Sequence, residues 1–68
     1  MLLDDVERII REEPGLTATQ IARLLLGPNG YAERINGACQ VLLLSGRVER
    51  RGRGGPGNPF TYYPIDRE

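Results

Sequence analysis

The chain has no histidine, no tryptophan and no lysine, and only one cysteine, one methionine and one phenylalanine. With one thiol and no imidazole, its own side chains cannot supply the ligands of a structural zinc site, and Cys39 has no partner for an internal disulfide. A nucleophilic thiol would also lack its histidine base. The carboxylates cluster on one helix-like segment, where solvation explains them. The expectation is therefore a protein that is not an enzyme and uses no metal and no cofactor. Cys39 falls on an apolar stripe and reads as a small core residue; a redox-sensing thiol is the alternative. No apolar run approaches the roughly 18 residues of a membrane span. The acidic start Met1-Leu2-Leu3-Asp4-Asp5 lacks the basic flank of a signal peptide. A cytoplasmic location with no membrane partner is expected.

What is present fits one small domain, residues 1–68. A chain of 68 residues buries only about 60% of its unfolded surface, which leaves no room for a walled substrate cleft. Its 40% apolar content is enough for a compact core. Without disulfide or metal to help so small a core, self-association is favoured, and a homodimer is expected. Leu2, Leu26, Leu43 and Leu44 exceed what short helices need inside and are candidates for the seam. Net charge is zero, but its distribution is not even. Residues 1–13 hold two arginines against five acids, residues 14–65 hold six arginines against Glu33 and Glu49, and residues 66–68 add one net negative charge. Such polarity can orient a protein on a polyanion even at zero total charge.

Periodicity gives the elements. Leu2, Leu3, Val6, Ile9 and Ile10 recur at helical spacing, predicting a first helix over about 2–12 that Pro14-Gly15 ends. Thr17 followed by Gln20 is a capping box, with Leu16 and Ile21 placed to staple it. The second helix, about 18–26, then buries Ile21, Ala22 and Leu25 and stops at Gly27-Pro28-Asn29-Gly30. A third helix is expected over about 32–45, with Ile35, Ala38, Cys39 and Leu42 on one face; a start only after Gly37 is the alternative. Gly37 within it has two readings: close packing against another helix, which is preferred, or close approach to a DNA backbone. After Gly46, the segments Arg47 to Arg51 and Phe60 to Ile65 read as a hairpin over about 47–65 around the glycine-rich tip Gly52 to Asn58. Val48 points inward. On the return strand Tyr63 and Ile65 are expected in the core, with Phe60 and Tyr62 partly exposed.

Thr17-Ala18-Thr19-Gln20-Ile21-Ala22, then Ile35-Asn36-Gly37-Ala38 through Leu42, then Gly46-Arg47-Val48-Glu49-Arg50, then Gly57-Asn58-Pro59-Phe60-Thr61-Tyr62-Tyr63 resemble, in that order, the second helix, recognition helix, first wing strand and wing return of winged helix-turn-helix DNA-binding domains. The likeness spans nearly the whole chain. It implies a mostly helical α+β fold of three helices followed by a two-stranded β-hairpin wing. It also implies a small transcriptional regulator bound to double-stranded DNA, with the third helix in the major groove and the wing on the backbone or minor groove. Gly37 departs from the pattern, since many such regulators place a DNA-facing side chain there. Gln40, four residues after Asn36, and the missing tryptophan separate the chain from the Z-DNA-binding subset.

The residue chemistry supports a DNA site at several positions. Arg34, Asn36 and Gln40 are expected on the outer face of the third helix, beside Glu33. Arginine can read guanine, and asparagine or glutamine can read adenine, each good pair being worth about 1–3 kcal/mol of discrimination. Arg47, Arg51 and Arg53 in the wing, and Thr19 at the start of the second helix, are candidate phosphate contacts. Arg50 falls on the Val48 side of the strand, where its stem can cover the core. Four neutralised phosphates would weaken binding roughly a hundredfold between about 50 and 200 mM salt. The competing expectation is a winged-helix module for protein–protein contact, reached through Phe60 and Tyr62.

Overall fold

The computed structural model describes residues 2–65, in the order α1 (Leu2–Glu12), β1 (Leu16–Thr17), α2 (Ala18–Leu26), α3 (Ala32–Leu44), β2 (Val48–Arg51) and β3 (Thr61–Pro64). Met1 and residues 66–68, which the expected domain includes, lie outside the described residues. The architecture is α+β and mostly helical: three helices and a three-stranded antiparallel sheet in the order β1-β3-β2. The expected two-stranded hairpin is thus corrected. Gly15 donates its N–H to the Tyr62 carbonyl at 2.8 Å, and Leu16 and Thr17 then pair with Tyr62 and Thr61. Two residues are too few to display alternation, so nothing in the local pattern announces this strand. It exists because β3 offers a free edge beside it.

The helices form where their patterns place them. Asp4 and Asp5 in the first turn of α1 and Arg11 in its last complement the helix dipole. The capping box of α2 is complete: Gln20 N–H donates to Thr17 Oγ1 at 3.2 Å, and Thr17 N–H donates to Gln20 Oε1 at 2.9 Å. Helix α3 starts at Ala32, ahead of Gly37, and Tyr31 at its N-cap makes no side-chain capping bond. It ends one residue before Ser45 in a left-handed turn at Gly46, φ +72°. There Gly46 N–H donates to Leu43 and Arg47 N–H to Leu42, the paired bonds of a Schellman motif that only glycine enters without strain. No helix among the described residues is long and apolar enough to cross a membrane.

One core lies between the helices and the inner face of the sheet. Val6, Ile9 and Ile10 of α1 meet Ile21 and Ala22 of α2, the stripe Ile35, Ala38, Cys39 and Leu42 of α3, and Val48 and Tyr62 of the sheet. Leu25 and Leu16 pack against it half-buried. The fate of the return strand reverses the expectation. Tyr62 is 3% exposed and in the core, whereas Tyr63, Ile65 and Phe60 are half-buried. The register explains this. Val48 pairs with Pro64 and Arg50 with Tyr62, and directly opposed residues share a face. An inward Val48 therefore carries Tyr62 inward with it. The intervening loop leaves either register open, so alternation within β3 alone could not choose.

Candidate functional site

The N-terminus of α2, the first half of α3 and the β2–β3 hairpin enclose a groove of about 300 Å³. Thr17, Ala18 and Thr19 contribute one wall, Ala32 and Asn36 a second, and Gly54, Pro59, Phe60 and Tyr62 the third. Two of the expected site residues, Thr19 and Asn36, thus come together from different helices. Gln40, one turn after Asn36, and Arg34, on the other flank of α3, are both exposed. They are among the solvent-facing positions opposite the Ile35, Ala38, Cys39 and Leu42 stripe.

The β2–β3 loop is more ordered than its composition suggests. Asn58 N–H donates to Gly55 at 3.1 Å, and Asn58 O accepts from Arg53 and Gly54, closing the tip onto itself. Gly54 holds φ +82°, and a Cβ there would stand 2.5 Å from the Phe60 ring. Phe60 is packed against backbone on one side, and the Arg50 guanidinium lies 4.0 Å from its ring centroid. That stack was not legible in the sequence. Arg50 lies on the Val48 and Tyr62 side of the sheet, as expected, and its head group also contacts an aromatic nine residues beyond the strand.

The wing arginines divide by what holds them. Arg51 sits on the outer face of the sheet, 4.3 Å over the Tyr63 ring and 3.1 Å from Glu49. Arg47 leaves the groove altogether: it donates to Glu7 of α1 at 3.1 Å, in a second concavity shared with Asp4, Arg8, Arg11 and Glu12. This pairing separates Arg47 from the other expected DNA contacts. Arg53 has no ion pair or ring contact among the described residues, and its guanidinium is exposed.

Three further expectations change. Gly37 is not packed against another helix; it is exposed, and a Cβ there would have no atom within 4 Å. At 100° per residue, position 37 lies nearly opposite both Ile35 and Cys39. A mid-helix glycine costs about 1 kcal/mol against alanine, and no packing contact offsets it. The apolar surplus is also smaller than it looked. Leu2, Leu26 and Leu43 are half-buried against the core, while Leu44 is 80% exposed beside Val41 at 47%. Phe60 and Tyr62 are not an open aromatic surface, since Tyr62 is buried and Phe60 lies under Arg50.

Beneath the groove, the core holds two titratable groups. Burial pushes the Cys39 thiol up to about 11, against a smaller opposing effect of the Tyr62 hydroxyl. Burial likewise raises Tyr62, reinforced by Cys39 and countered by the Arg50 guanidinium. Both are neutral near pH 7, and Tyr62 lines the groove without carrying charge. Comparisons with protein-family models, with curated proteins and with solved structures find no match to this chain.

Proposed function

We propose that the chain is a winged helix-turn-helix protein that binds double-stranded DNA, a small transcriptional regulator acting as a homodimer. The observation that carries this reading is the grouping of Thr19, Asn36 and the wing base around one groove, with Gln40 and Arg34 exposed on the same helix as Asn36. Helix α3 presents amide side chains able to read base edges in the major groove. Thr19 and Arg53 flank it as phosphate contacts, and Arg51 lies on the outer face of the wing. The homodimer doubles a small set of base contacts by using two half-sites.

Arg47 is held by Glu7 and drops out of the phosphate count. With Arg51 and Arg53 remaining, two contacts predict that affinity falls roughly tenfold between about 50 and 200 mM salt. An NMR titration of labelled protein with a mixed-sequence duplex tests this. Shifts confined to 33–40 and 47–58 that weaken with salt, and a loss of binding in Arg51→Ala/Arg53→Ala, are expected. No shifts at low salt would sink the reading.

A second reading, a protein-interaction module, is favoured by the exposed pair Val41 and Leu44 on α3. It predicts no duplex binding, and loss of the partner when Leu44 becomes serine.

A further inference from the structure

Helix α3 carries a glycine that its own fold does not use. Gly37 sits in the middle of a 13-residue helix, on the solvent side, with open space where a side chain would be. It follows Asn36, another weak helix former. At exposed helix positions packing does not decide the residue, and propensity alone would select alanine or a longer helix former there. A local choice that weakens its own element without compensation within the molecule points to a requirement outside it.

The side chains around the notch indicate what meets it. Glu33 and Arg34 lie one turn before Gly37 and Gln40 three residues on, with Asn36 about 100° round the helix, all exposed. Val41 follows one turn after Gly37 and Leu44 two, so the rim is apolar toward the C-terminal end and polar around the notch itself, at Glu33, Arg34 and Gln40. Carboxylate and amide groups are the donors and acceptors that match cytosine and adenine edges in a major groove. We propose that Gly37 is the point of closest approach between α3 and duplex DNA, where the helix backbone lies against the nucleic acid in the space a methyl group would fill. This rests on the DNA-binding reading above. It adds that the fit of α3 in the groove is set by an absent side chain, with Asn36 and Gln40 brought within reach of the bases by that proximity.

The test compares the parent chain with Gly37→Ala in thermal unfolding and in fluorescence anisotropy. The probes are a mixed-sequence duplex and the tightest duplex selected from a random library, at about 50 mM salt. Gly37→Ala is expected to raise Tm by about 4–8 °C and to weaken the selected duplex by about tenfold or more. A more stable variant that binds the selected duplex as well as the parent overturns this inference and leaves the DNA-binding reading standing. A variant less stable than the parent makes Gly37 a structural glycine and overturns it as well. A parent that binds no duplex defeats both.

Discussion

Cys39 and Tyr62 are the residues whose chemistry the fold alters most. Both are buried where α3 meets the central strand, and burial favours the neutral form of each. For Cys39 the sign is fixed: the thiol ionises near 9 when unfolded and near 11 when folded. Stability from keeping it protonated is full below the unfolded value. It is lost as pH rises from about 9 to 11, because the unfolded chain then holds fewer protons than the folded one. Tyr62, also raised, acts in the same direction. Urea titrations between pH 8 and 11 are expected to show this decline, with Cys39→Ala flattening the lower part of it; an unchanged slope in the variant would assign the decline elsewhere. At pH 8 a thiol reagent is expected to modify the folded chain far more slowly than the unfolded one.

Elements were readable in proportion to how local their causes are. The capping box, the glycine stop of α3 and its apolar stripe each depend on neighbours within a few residues, and Thr17, Gly46 and Ile35 stand as expected. The sheet depends on partners far along the chain. Neither β1 nor the face of Tyr62 follows from any short window, because both are decided by the register of β3 against Leu16 and Val48. That register predicts unequal consequences for adjacent tyrosines. Tyr62→Ala empties a core position and is expected to cost about 3 kcal/mol or more, a large share of what a small domain has. Tyr63→Ala removes a half-buried ring under Arg51 and is expected to cost about 1 kcal/mol. Chemical denaturation of the two variants checks this, and equal losses would contradict the register. The exposure of the candidate site residues was legible in the same way. Asn36, Gln40 and Arg34 fall outward by helical spacing alone, but the Arg50–Phe60–Gly54 stack needed the wing to be folded.

At the scale of the molecule, the uneven charge seen along the sequence becomes an arrangement in space. Glu7, with only 13% of its side chain exposed, accepts from Arg11 at 3.2 Å and from Arg47 at 3.1 Å. It thereby ties the root of the wing to the first helix. Glu7→Gln is expected to lower stability by about 1 kcal/mol at low salt and by less at high salt, where the parent pairing is screened. Denaturation of both proteins at the two salt concentrations measures the difference, and no difference at either would show the pairing to be energetically idle. The paired edges of β3 have a mechanical meaning as well. A wing joined to the body through β2 alone would pivot on one chain segment. Here its return strand is clamped on both sides, by β2 and by the Gly15–Thr17 stretch that leads directly into α2. The wing is thus a cantilever built into the wall from which α2 projects. The distance from Thr19 to the tip of the β2–β3 loop becomes a property of the frame rather than of the loop.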